Sequence, residues 1–286
     1  MGCVPCVSRK STSEFIVPSI NSCSSNADII INSCEVYTEM TERLNYKNDT
    51  VFQLKEIKRE EINTEKFTIS YESYNKDGKK IDKPNILLEV IHVDTIESIM
   101  SSSRDYILEG NKLPFIYNTK NQTKESGKSS GSILGNLYTS SCIPNNMIKN
   151  RLIDNDILVK ITAISIFQQL IKYNKDAFKL EYPNDIFCVE HGGKLGEIIV
   201  ENYFDFQIIE FWINIVDKPE TEKTEKIETN NSTPCFVDAH LSENIDKPNA
   251  IDFSIEVTKQ IIINLKLTKN DINKLFEEYN KIKEDN

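Results

Sequence analysis

The chain has 286 residues, room for one large domain or two small ones, and 39 % of them are hydrophobic. Its 34 basic residues are outnumbered by 44 acidic ones, a formal net charge of −10, which excludes the electrostatic footprint of a nucleic-acid binder. No apolar run reaches the ~18–20 residues a membrane helix needs.

Seven cysteines, at 3, 6, 23, 34, 142, 188 and 235, are odd in number and irregular in spacing, and no secretory leader precedes them. They predict a reduced, cytoplasmic protein with free thiols. The chain begins Met1-Gly-Cys-Val-Pro-Cys6. Gly2 after a removable methionine has the acceptor geometry for myristoylation, and Cys3 and Cys6 are acceptors for palmitoylation. Two acyl groups, with Arg9 and Lys10 beside them, would tether the chain to a membrane surface. Cys6 stands where Ser or Thr is usual, so an unmodified tail is the alternative. Residues 7–45 are rich in Ser, Asn and Thr and read as a linker.

Residues 46–85 form an extension expected to pack on the core. Phe52–Ile57 suggests a short helix, Phe67–Tyr71 a strand, and Asp77–Lys80 a polar turn. Asn85–Val93 has the apolar, β-branched composition of a buried strand. Residues 95–109 carry Ile96, Ile99, Met100, Tyr106 and Ile107 as a helical apolar set. Residues 118–135 read as a loop, and Asn136–Cys142 as a strand. Over 155–173 the apolar positions recur at helical spacing behind an Asp/Asn-rich cap. Ile186–Val189, Lys194–Val200 and Phe206–Val216 then follow as an antiparallel meander, with turns at His191-Gly192-Gly193 and Asn202-Tyr203. A charged insertion at 217–230 precedes helices over Phe253–Leu267 and Asn270–Lys283. Strands and helices mix without βαβ alternation, so the class is α+β, a mixed and largely antiparallel sheet flanked by helices.

Six of the nine glycines lie between 127 and 196, which marks one centre where backbone approaches a ligand. Gly127-Lys128-Ser129 is half of a phosphate-binding loop, but Gln122 stands where that loop needs its first glycine. Cys188 and His191 form a lone Cys-x-x-His with no partner pair, so no metal site is assigned. No Gly-x-Ser-x-Gly or His-Glu-x-x-His motif anchors a hydrolase.

Six segments, in order across about 160 residues, resemble the biotin protein ligases. Val90–Ser98 sits where the family has a strand and then Ser-Thr-Asn, with Thr95, Ile96 and Glu97 in the triplet. Gln122-Thr-Lys-Glu-Ser-Gly-Lys-Ser-Ser-Gly131 is similar to the family's glycine-rich loop. Gly135-Asn-Leu-Tyr-Thr-Ser140 is similar to its next strand. Tyr182-Pro-Asn-Asp185 with Lys194-Leu-Gly, Phe211–Ile215 with Asn214, and Asn231–Asp238 complete the series. The resemblance implies a catalytic domain over 86–250, followed by helices over 251–286 in place of the family's small C-terminal β domain. It implies nucleotide- or substrate-binding roles for Thr95, Ile96, Glu97, Gln122, Ser126, Gly127, Lys128, Gly131, Asn184, Asp185 and Asn214. Lys128 and Lys194 take the catalytic roles, with Glu181 at a catalytic lysine's place.

The activity so implied is ATP-dependent attachment of biotin to a lysine on a carboxylase's carrier domain, through biotinyl-AMP and with Mg2+ accompanying ATP. Carboxylate and nucleotide are both anions, so such a site must supply positive charge. Glu181 and Ser126 replace two of the family's cations. A charge pair ~4 Å apart is worth about 4 kcal/mol at an effective dielectric of ~20, and reversing one sign makes it a repulsion. Ligation is therefore expected to be weakened, with Lys179, Lys194 and Lys128 as partial replacements. Two alternatives stay open. Glu181 and Ser126 favour a catalytically impaired binding protein, and Ser126-Gly127 with Leu134-Gly135-Asn136 resembles a lipoate-type ligase.

Overall fold

A computed structural model describes residues 53–123, 136–148, 154–174, 176–181, 185–190, 192–215, 236–241, 246 and 248–281. Nine strands make one sheet: β1 (Gln53–Glu61), β2 (Lys66–Tyr74), β3 (Ile86–Ile96), β4 (Phe115–Gln122), β5 (Asn136–Pro144), β6 (Phe178–Glu181), β7 (Asp185–Cys188), β8 (Lys194–Tyr203) and β9 (Phe206–Asn214). Among the described residues four α-helices accompany them: α1 (Ile99–Leu108), α2 (Asn155–Leu170), α3 (Ala250–Asn264) and α4 (Lys269–Lys281).

The strand order is β1-β2-β3-β4-β5-β9-β8-β7-β6. Every neighbouring pair is antiparallel except β3 and β4, which run parallel with α1 as their crossover. The expected mixed, largely antiparallel sheet is thus present, including the β7-β8-β9 meander. β2 hydrogen-bonds to β3 and β1 to β2, so the first described residues continue the same sheet.

Alternation along the strands divides the core. Leu137 and Ile143 of β5 join Ile209, Phe211 and Ile213 of β9 beneath α2, α3 and α4. Cys142, on the other face, packs with Phe115, Phe206 and Ile208 under Met100 and Ile107 of α1. Twelve of the sixteen residues of α2 are buried, because the helix is enclosed by the sheet and by both C-terminal helices rather than lying on a surface. Asp154 caps its first turn, accepting from Ile157 N at 2.8 Å. Thr139 donates to Asn118 (2.7 Å), Asn118 donates to Ser254 (2.9 Å), and Ser141 bonds Thr258 (2.6 Å), so the polar atoms between β4, β5 and α3 are satisfied rather than stranded. No helix among the described residues is long and apolar enough to cross a membrane.

Several local expectations are corrected. Phe52 lies outside the described residues, and 53–57 are strand rather than helix. β1 buries only Leu54, and its conformation is imposed by its ladder with β2. β3 continues to Ile96 beside β4, so the following helix begins at Ile99 rather than at 95, capped by Ser98. Residues 118–122 are strand because they pair with β3 and β5. The last hairpin turns at Phe204–Asp205, since Tyr203 and Phe206 still pair. Cys142 is a free, fully buried thiol, whereas Cys188 is disulfide-bonded, so not every thiol is free as expected. The acylation acceptors Gly2, Cys3 and Cys6, the 217–230 insertion and residues 282–286 fall outside the described residues.

Candidate active site

The register of the sheet carries Thr95, Ile96, Gln122, Asn214 and Lys194 to one of its ends, with Asp185 and Glu181 about three residues inside it. Ile96 at the end of β3 pairs with Gln122 at the end of β4. Antiparallel β5 starts at the same end, where Asn136 opposes Asn214 of β9. Lys194 opens β8 at this end, while Asp185 and Glu181 pair with each other level with Glu197, three residues further along β8. Chain segments separated by more than a hundred residues therefore meet along one rim. The rim is long: from β3 to β6 it spans six strand spacings, about 29 Å. Gln122 with Thr95 and Ile96 forms one end, and Lys194 with Asp185 and Glu181 the other, with Asn214 between them. Thr95 and Glu97 are exposed and Ile96 is half-buried. Ser126, Gly127, Lys128, Gly131 and Asn184 fall outside the described residues.

Lys194 is the best-built position. Its ammonium lies 2.8 Å from an Asp185 carboxylate oxygen, 2.9 Å from Glu197 Oε2 and 5.6 Å from the centre of the Trp212 ring. Lys194 and Glu197 are three residues apart and would face opposite sides of a regular strand. A bulge allows them to converge: Lys194 pairs with Phe187 and Glu197 with Asp185, while the register shifts between Ile186 and Phe187. Burial by itself would lower the pKa of this ammonium. Hydrogen bonds to Asp185 and Glu197 outweigh burial and hold it above its ordinary value. The ammonium is thus held in its charged form. Asn214 donates weakly to the Lys194 carbonyl (3.4 Å), tying β9 to the start of β8.

The other candidate residues make contacts within the protein. Gln122 is 3 % exposed, and its Oε1 accepts from the backbone N–H of Ile99 at 2.9 Å. That bond satisfies one of the orphan donors at the start of α1, a structural duty the sequence did not reveal. Thr123 N donates to Ile96 O (2.9 Å), so the ends of β3 and β4 are bound together. Glu181 forms an ion pair with Lys179, whose ammonium also lies 5.6 Å from the centre of the Phe187 ring. The lysine expected to replace a missing cation is engaged by the very carboxylate that displaced it. Among the described residues Lys179 and Lys194 therefore face Glu181, Asp185 and Glu197, one more negative charge than positive.

Glu197 and Trp212 are the site residues that sequence reasoning missed. Glu197 belongs to the quoted Lys-Leu-Gly-Glu run, but only the bulge puts it beside the lysine. Trp212 is the single tryptophan of the chain, and its place opposite Glu197 comes from the β8–β9 register. Gly196 serves this register too: a Cβ there would lie 2.4 Å from the Trp212 carbonyl oxygen and 2.5 Å from Ile213 Cδ1.

No family model matches the sequence, and no curated protein matches it. Solved structures do resemble it. The Leishmania major biotin protein ligase in complex with biotin aligns at 17 % identity and a TM-score of 0.51, covering 66 % of this chain and 80 % of that one. The Aquifex aeolicus biotin protein ligase in complex with biotin and ATP aligns at 19 % identity and 0.48, covering 66 % and 74 %. Plasmodium falciparum LipL1 in complex with lipoate aligns at 14 % identity and 0.39, covering 68 % and 71 %. On the strand order and the Leishmania alignment, this chain has the fold of a biotin/lipoate protein ligase catalytic domain.

Proposed function

We propose that the protein is an ATP-dependent protein ligase that activates biotin as biotinyl-AMP and passes it to a lysine of a carboxylase's carrier domain, at a rate reduced by its own carboxylates. The observation carrying this reading is the Lys194 ammonium, held protonated on the face of a ligase-type sheet. In the reaction the acid's carboxylate attacks the α-phosphorus of ATP and pyrophosphate leaves. The carrier amine then attacks the acyl carbonyl and AMP leaves. Each step brings negative charge to the rim, and a cation kept charged by its surroundings suits that duty. Mg2+ would arrive on the nucleotide's phosphates. Among the described residues no three His, Cys, Asp or Glu side chains form a metal cage.

A second reading rests on one observation: Glu181 is paired with Lys179, and Lys194 is flanked by two carboxylates. It is a binding protein that holds an acid or nucleotide without transferring it. Purified protein incubated with biotin, ATP and Mg2+ separates the two. Biotinyl-AMP detected by mass spectrometry supports the ligase, and a thermal shift with biotin or ATP without adenylate supports the binder. Lipoate in parallel incubations distinguishes a lipoate-type ligase by lipoyl-AMP. Acyl groups on Gly2, Cys3 and Cys6 would tether the chain to a membrane surface, which intact-mass analysis of the first peptide tests.

A further inference from the structure

A cleft of about 660 Å3 opens at the far end of the sheet from Lys194. The two ends are separated by the length of β4, about 23 Å, so the cleft is no extension of the candidate active site. Its walls come from segments that precede or follow strands. Lys83 and Pro84 lead into β3, Lys112 and Pro114 into β4, Pro144 closes β5, and Lys266 follows α3.

Two features distinguish it from the rest of the surface. The first is charge: three lysines distant in sequence line the cleft, and among the described residues no Asp or Glu lines it, in a chain whose acidic residues outnumber its basic ones. A smaller hollow of about 450 Å3 shares Lys112 and Pro144 but includes Asp205, so the cationic part lies toward Lys83 and Lys266. The second is preorganisation. Prolines fix the backbone in three of the walls, and the Lys266 ammonium donates to the Met147 carbonyl. Ile86, Leu113 and Met147 add apolar surface between the cations. The volume is in the range of small-molecule sites.

We propose that this cleft binds a small organic anion, an apolar body bearing one carboxylate, sulfonate or phosphate group, independently of the candidate active site. The apolar body lies on the Ile86–Leu113–Met147 wall and the anionic group among Lys83, Lys112 and Lys266. The probe is 1-anilinonaphthalene-8-sulfonate, paired with N-phenyl-1-naphthylamine, which keeps the rings without the charge. Fluorescence titration of the full chain should saturate at one equivalent of the sulfonate. The Lys83→Glu/Lys112→Glu variant should bind it roughly tenfold or more weakly, with the amine's binding changed less than twofold. Lys58→Glu, on the exposed edge strand β1, should leave both unchanged. Lys83 and Lys112 are exposed, and a far-UV spectrum and urea midpoint matching wild type show that the double variant is folded. The proposal is overturned if the wild-type chain shows no saturable binding, if the double variant binds like wild type, or if Lys58→Glu weakens binding equally.

Discussion

Glu181 and Lys179 stand two residues apart on the same face of β6 and form an ion pair, so the cation nearest the turn into β7 is engaged within its own strand. Replacing Glu181 by lysine removes that engagement and reverses a charge at the rim. If adenylation is limited by the shortage of positive charge, Glu181→Lys should raise biotinyl-AMP formation roughly tenfold, about 1.4 kcal/mol of barrier, with Glu181→Gln between the two. Pyrophosphate release at fixed biotin and ATP measures it. Equal rates for all three proteins would show that this charge does not govern the chemistry.

Gln122 is expected to act on stability as well as on ligands. Gln122→Leu keeps the volume but leaves the Ile99 N–H without its acceptor, which should cost about 1–3 kcal/mol in chemical denaturation. Gln122→Glu restores an acceptor and should recover most of the stability. If Gln122→Leu is as stable as wild type, the hydrogen bond to Ile99 is not what orders the start of α1.

Gly196→Ala should destabilise by about 1–3 kcal/mol, because its methyl group would meet the Trp212 carbonyl, a backbone atom that cannot rotate away. β8 and β9 would have to separate by a fraction of a strand spacing, disturbing Trp212 beside Lys194. Thermal unfolding and tryptophan fluorescence should change together, and an unchanged emission maximum would contradict this coupling.

His92 supplies a pH dependence. Burial, followed by the nearby Lys120, lowers its pKa below 6.5, against the opposing pull of Asp94 and Glu65. The unfolded chain then binds more protons than the folded one just below that value. Stability from this group is complete above about 6.5 and is lost as pH falls through the depressed folded pKa. Urea midpoints at pH 7.5 and 5.5 should differ in that sense, and His92→Gln should reduce the difference. The same slope in the variant would assign it elsewhere.

Where burial writes a local pattern, the sequence was readable. β3 follows from its apolar, β-branched composition and α2 from helical apolar spacing, and β5 and the β7-β8-β9 meander were read as strands too. The misreadings share one physical origin. β1 buries a single side chain, so its conformation depends on β2 and leaves no periodic trace. Ile96 is strand because it lies beside Gln122, a neighbour set by a crossover rather than by the chain around it. The site divides the same way. Lys194 and Glu181 were found as residues, but their electrostatics were not. The bulge that turns Glu197 toward Lys194, and the pairing that engages Lys179, exist only in three dimensions.

The order of strands has a mechanical consequence. β1 to β5 are consecutive neighbours, and so are β6 to β9, so the sheet is two sequence-local halves sewn together by the single seam of β5 against β9. Each half can zip from nearby residues, whereas the seam must await the meeting of strands some seventy residues apart, and slow folding is expected to be timed by it. Asn136 and Asn214 sit at the end of that seam. A load applied to either half, whether by a ligand at the rim or in the far cleft, reaches the other through that ladder and through the helices packed across it.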